Sequence, residues 1–206
     1  MKDIPIFTAT NGMASLILRE IPYRREAYVH VRAVFTRLEF LLRECAAFCR
    51  MAGAERIFAS GAEDFSHYRV HARLMEREIA KEALPSVEAK AVPTEDPQWL
   101  SCYREAFRNV PVARTLEHME HCYWIMEQDV PIGFGQIHDG TLHSVGALQK
   151  GAGARCVCAL AAVDSTPRIR LLCAMENHPA MRLYDRLGFS QGAVEESWYE
   201  ITSLIL

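Results

Sequence analysis

Two stretches hold the residues best suited to chemistry. The first is SVGALQKGAGARCVCAL, in which a strand-like run ends, glycines stand at 151 and 153, and a helix-like run begins. Small residues at such a junction let a backbone approach a ligand closely. The helix start adds unpaired N–H groups at the positive end of its dipole. That is a phosphate cradle. The same residues also suit a loop that uses glycine only for its left-handed backbone. The second stretch, ENHPAMRLYDRLGF (176–189), places Ala180, Leu183, Tyr184 and Leu187 at helical spacing on one stripe. Asn177 stands where an N-cap belongs, Pro179 is tolerated in the first turn, and Gly188 stops the helix before Phe189. Taken alone, this is an amphipathic helix with a half-buried tyrosine.

These stretches need strands and helices to hold them, and the chain reads as two alternating β/α blocks. In the first, IPIFTAT and ASLILREI flank Asn11-Gly12, a strong hairpin signal. AYVHVRAVF alternates as a third strand. Leu38, Leu41, Leu42, Cys45, Phe48 and Cys49 form the apolar face of a helix that Gly53 ends. RIFAS follows as a short strand, and DFSHYRVHARLMEREIAKEAL is expected to be a polar connecting helix. Pro85-Ser86 marks the expected boundary, giving blocks 1–85 and 86–206. In the second block VEAKAV reads as a strand, and DPQWLSCYREAFRN and TLEHMEHC read as helices. YWIMEQD, IGFGQIHDG and LHSVGAL read as strands joined by tight turns near Asp129 and at His138-Asp139-Gly140-Thr141. RIRLLCAM is a buried strand before the tyrosine helix, with Arg168 and Arg170 on its solvent side, and ESWYEI is a last strand.

The order strand, GxG, helix, strand, then N-x-x-A-x-x-L-Y-x-x-x-G-F resembles the GNAT acetyltransferase superfamily over residues 87–201. Asn177, Ala180, Leu183, Tyr184, Gly188 and Phe189 fill the second motif without a gap. The resemblance implies an α/β (α+β) fold with a mixed, mainly antiparallel sheet flanked by helices. It implies that acetyl-CoA, as co-substrate, donates its acetyl group to an amine of a small molecule or peptide. Backbone N–H groups of Lys150, Gly151, Ala152, Gly153 and Ala154, with Arg155 next, would hold the pyrophosphate. Val145, Gly146 and Ala147 would splay from the next strand and pair with the pantetheine arm. Asn177 would bind that arm or the acceptor, and Tyr184 would protonate the departing thiolate. The family usually carries Gln or Arg three residues before the first glycine; this chain has Leu148 there, with Gln149 and Lys150 beside it. The helix after the loop ends near Asp164, about a turn early for the family. The first block repeats the family's strand and helix order without a glycine cradle, as a degenerate GNAT-like half or as an unrelated α/β extension.

The chemistry follows from the functional groups. A neutral amine attacks a thioester, charge grows on the carbonyl oxygen, and a backbone N–H at the splay can stabilise it. A phenol is a competent donor to a thiolate. His143, beside Ser144, is a candidate base because imidazole titrates near neutral pH; Glu176 and Glu196 are further candidates. Glu117-His118 and His121 have helical metal-ligand spacing but no evident third ligand. Cys156 and Cys158 lie in the helix after the cradle and read mainly as packing residues. An acyl-CoA-binding module without catalysis is the alternative class, and it would not need Tyr184.

Bulk properties narrow the partners. The 206 residues are 50% hydrophobic and 24% charged, with a net charge of −3. Basic residues never run beyond two together, which gives no nucleic-acid footprint. No apolar run approaches a membrane span or a signal peptide. Seven cysteines, an odd count without a CxxC pair, argue against a disulfide framework. The expectation is a cytoplasmic monomer or homodimer.

Overall fold

The computed structural model describes residues 1–112 and 119–205. Its elements run β1 (Ile4–Ala9), β2 (Gly12–Ile17), α1 (Ile21–Arg24), β3 (Glu26–Val34), α2 (Leu38–Met51) and β4 (Arg56–Ser60). They continue through β5 (Arg69–Ala80), β6 (Lys90–Pro93), α3 (Pro97–Ala106), β7 (Cys122–Glu127), β8 (Val130–His138) and β9 (Thr141–Ala147). α4 (Gly153–Val163), β10 (Arg168–Ala174), α5 (His178–Leu187) and β11 (Ser190–Glu200) follow, with a short 3₁₀ turn at Thr202–Ile205 after them. Two compact units result: residues 1–73 with 196–206, and residues 74–195. The divisions fall within β5 and β11, where the expected boundary was at Pro85.

The first unit holds the strand order β1-β2-β3-β4-β11. The β1–β2 hairpin turns at Thr10-Asn11, one residue before the Asn-Gly pair, with Ala9 opposite Gly12. The Asn11 side chain is engaged on both ends: its amide donates to Glu44 at 3.0 Å and its oxygen accepts from Thr36 at 2.5 Å. The inner face of α2 buries Leu41, Leu42, Cys45 and Cys49 against Ala14, Leu16, Val29 and Val31. The β3–α2–β4 crossover makes β3 and β4 parallel neighbours, paired at five positions from Glu26–Arg56 to His30–Ser60.

The second unit holds the order β7-β8-β9-β10-β5, with β6 on the far edge of β7. Its pattern matches the first: two antiparallel joints, a parallel β–α–β joint, then an antiparallel strand. Gln128-Asp129 and Asp139-Gly140 all have positive φ, which suits two-residue hairpin turns whose geometry matches the right-handed twist of the flanking strands. α4 lies close on the sheet: a Cβ at Gly133 or Gly135 would meet Cys156 Sγ or Leu160 Cδ1 at 2.3 Å. Phe134, between them, faces the other way and packs with Trp99 and Tyr103 of α3.

The segment expected to be a polar helix, DFSHYRVHARLMEREIAKEAL, holds β5 instead. Its residues are helix formers by type, yet Met75, Arg77 and Ile79 alternate inward and Glu76 and Glu78 lie between them. Seven consecutive pairs with β10, Leu74–Ala174 to Ala80–Arg168, outweigh local propensity. Of the expected helix TLEHMEHC, residues 115–118 lie outside the described residues, and Cys122 already begins β7. No helix among the described residues is long and apolar enough to cross a membrane.

Candidate active site

α5 is built as its sequence indicates. The Asn177 side chain accepts from the Ala180 N–H at 3.4 Å as an N-cap, worth about 1 kcal/mol. Gly188, at φ 85°, ends the helix with its N–H on Asp185. Tyr184 is 6% exposed and meets Phe189 edge-on, with ring centroids 5.3 Å apart. Its hydroxyl has no hydrogen-bond partner among the described residues. Burial, and then the neighbouring Cys173 thiol, raise its pKa well above the ordinary phenol value, against a smaller opposing pull from Arg77. The phenol is therefore held protonated.

Arg77 of β5 anchors the end of that helix. It is fully buried, donating to the Asp185 carboxylate at 2.5 Å, the Ser190 carbonyl at 3.0 Å and the Phe189 carbonyl at 3.1 Å. Its role escaped the sequence reading because an arginine in an inward position breaks the apolar alternation that marks a strand.

β9 and β10 run parallel but pair at one position, Thr141 with Arg170. Beyond it they part, and a cavity of about 330 Å³ occupies the opening. Its wall includes His143, Ser144 and Val145 of β9, Cys173 of β10, Tyr184 of α5 and that helix's cap, Asn177. Tyr103 and Phe107 close it from the α3 side. His143 is a bulge residue: Gln136 pairs with Ser144 and Ile137 with Leu142, which leaves His143 unpaired between them. Bulges re-aim side chains beside active sites, and here His143 and Ser144 both reach the cavity. Partial burial and the nearby His138 and His121 lower the His143 pKa below its ordinary 6.5. Ser144 is 5% exposed, and its hydroxyl has no hydrogen-bond partner among the described residues.

The glycine loop lies outside the cavity lining, at the end of the same strand. Gly146 and Ala147 finish β9 opposite Phe134 and Gly133. Leu148 and Gln149 both donate their N–H to Ile132, at 2.9 and 3.3 Å, and the Leu148 side chain is 44% exposed. Gly151 takes φ 85°, and no atom of the described residues beyond its immediate chain neighbours lies within 4 Å of where its Cβ would stand. Ala152 N–H is occupied by Gln149 O at 3.1 Å. α4 starts at Gly153 without a side-chain cap, so the amides of its first turn, at Gly153, Ala154 and Arg155, have no helical partner. The Arg155 guanidinium pairs with Glu127 rather than standing free beside the loop.

The other candidates fall elsewhere. Glu196 belongs to the first unit, accepting from Ser60 at 2.8 Å and meeting His30 at 3.3 Å. Glu176 is half-buried just ahead of α5 and is not part of the cavity lining. Glu117 and His118 lie outside the described residues; the His121 ring stacks on His138 at 4.0 Å. No group of three His, Cys, Asp or Glu side chains is placed to hold a metal among the described residues. Cys156 is a core residue packed against the sheet, its thiol pushed up to about 11 by burial.

No family model matches the sequence, and no curated protein is found similar to it. Solved structures are similar. A candidate acetyltransferase from Pyrococcus horikoshii aligns at 17% identity and TM-score 0.62, over 93% of this chain and 69% of that one. A tandem GNAT protein from the clavulanic acid biosynthesis pathway aligns at 12% identity and TM-score 0.53, over 92% of this chain and 78% of that one. A GCN5-related N-acetyltransferase from Kribbella flavida aligns at 13% identity and TM-score 0.53, over 94% of this chain and 58% of that one. The chain has the GNAT fold.

Proposed function

We propose that the protein is an acetyl-CoA-dependent N-acetyltransferase that transfers the acetyl group directly to an amine of a small molecule or peptide. The observation that carries this reading is the opening between β9 and β10, paired only at Thr141–Arg170, with the Tyr184 phenol in its wall.

The residues suit acetyl-CoA. Pyrophosphate fits the uncapped start of α4, with the amides of Gly151, Gly153 and Ala154 as donors and Gln149 and Lys150 alongside. The absence of a Cβ at Gly151 keeps that approach open. The β9 edge at Val145, Gly146 and Ala147 is free to pair with a pantetheine arm. Asn177 caps α5 with its oxygen, which leaves its amide nitrogen for the arm or the acceptor.

The reaction then proceeds as follows. The amine nitrogen attacks the thioester carbon, an N–C bond forms and the C–S bond breaks. His143, neutral because its pKa is lowered, takes the surplus proton of the amine. The leaving thiolate takes the phenolic proton of Tyr184. Cys173 shares the cavity, but burial pushes its thiol up to about 11, so it offers no thiolate for an acyl-enzyme.

The first unit is read as a degenerate GNAT-like repeat with a structural role. β3 and β4 are zipped at five positions where β9 and β10 part, and no glycine stands between Val34 and Leu38. One acetyl-CoA per chain follows. All seven cysteines are free, in keeping with a reducing cytoplasm, as monomer or homodimer. Calorimetry with acetyl-CoA, then thiol release with an amine panel, tests the reading. Binding without turnover of any amine would leave an acyl-CoA-binding module instead.

A further inference from the structure

Resting on that reading, we propose that the acceptor is a compact, mainly apolar amine with no second positive charge, and that the Ser144 hydroxyl is the polar anchor that orients it. Two features lead there. The first is Ser144 itself. A buried hydroxyl without a partner is uncommon and works against folding. Here it lines a cavity, so an occupant can supply the missing partner. Gln136, directly across the ladder, donates its side-chain amide to the Glu120 carbonyl at 2.7 Å, away from Ser144. The bulge at His143 sets the base candidate and this hydroxyl side by side on the wall. An amine between them can give one N–H to Ser144 Oγ and lose its other proton to His143, which fixes the direction of the nitrogen lone pair.

The second feature is the rest of the wall. Leu74, Phe107, Val112, Leu142 and Leu172 supply apolar surface, and Tyr103 adds an aromatic face. Among the described residues of the lining there is no Asp or Glu. A second ammonium would lose its water there and gain no counter-charge from the described lining. A phenyl-sized or branched aliphatic group would gain from burial.

The test uses the full chain with acetyl-CoA and four amines: benzylamine, phenethylamine, lysinamide and spermidine. The expected result is a kcat/KM for the two arylalkyl amines at least about tenfold above that for spermidine, the scale of one uncompensated buried polar group. Ser144→Ala is expected to raise KM for phenethylamine about fivefold, as for one lost neutral hydrogen bond. Its acetyl-CoA Kd should stay unchanged and its melting temperature should not fall, because the hydroxyl has no partner among the described residues. A preference for spermidine, or failure of every arylalkyl amine with a protein that binds acetyl-CoA, would overturn the acceptor class. An unchanged KM in Ser144→Ala, or a melting temperature several degrees lower, would overturn the anchor. If acetyl-CoA itself gives no binding heat, the acyltransferase reading fails and takes this inference with it.

Discussion

Arg77 and Asp185 form an ion pair across two elements, 2.5 Å from Nη2 to Oδ1, with the arginine wholly buried and the carboxylate next in sequence to Tyr184. The pair, with the Phe189 and Ser190 carbonyls, fixes the end of the helix that carries the phenol. Arg77→Met removes the donors and leaves two carbonyls unsatisfied. A loss of about 2–4 kcal/mol is expected on the scale of broken buried networks, read in a urea melt. Arg77→Lys should recover only part of it, since an ammonium lacks the planar fork.

Tyr184→Phe separates chemistry from folding. Its hydroxyl makes no hydrogen bond among the described residues, so the melting temperature should hold. Acetyl-CoA affinity should also hold, while kcat falls by about one to three decades, as for a lost general acid. A native turnover rate in this variant would remove the tyrosine from the mechanism.

The pH profile follows from the direction of the His143 shift. A base must be unprotonated to act, and a lowered pKa moves the acidic fall-off to lower pH. With a weakly basic arylamine, whose own titration does not intrude, kcat/KM should rise with pH through a midpoint below 6.5 and then stay level. His143→Gln should abolish that limb and lower the rate about a hundredfold or more. A midpoint above 6.5 would point to a different base.

Ala154→Glu tests the cradle without damaging the helix. A carboxylate in the first turn of α4 favours the helix dipole by about 0.3–1 kcal/mol, so the protein should melt no lower. The same charge would repel a pyrophosphate, and acetyl-CoA Kd should rise at least about tenfold. Unchanged affinity would move the phosphates away from this helix.

A fragment 86–206 should fail to fold. It retains the glycine loop and the tyrosine helix but loses β5, and with it Arg77 and the seven pairs along β10. Limited proteolysis and circular dichroism of the fragment check this; a stable, active product would show that β5 is dispensable. Calorimetry on the full chain should give one acetyl-CoA site.

Local signals were legible. Asn177 and Gly188 announce the ends of α5, and Asp139-Gly140 announces a hairpin, because capping and turn chemistry act over a few residues. The fold class was legible through the spacing of these signals. β5 was not: glutamates, arginines and an inward arginine describe a polar helix until Arg77 finds Asp185 more than 100 residues on. The bulge at His143 and the lonely hydroxyl of Ser144 were also hidden. Each depends on how β9 meets β8, and nothing local to His143-Ser144 records that register.

The last strand of the first unit, residues 196–200 of β11, lies beside β4 and follows the whole second unit in sequence. A ribosome makes residues 1–73 well before this strand, with the whole second unit in between. Until then β4 offers a bare row of amide and carbonyl groups, the kind of edge that pairs with other nascent chains. The first unit must wait through the synthesis of the entire second unit before its sheet can close. A premature stop before Glu196 would therefore damage the unit whose other strands had been made long before it.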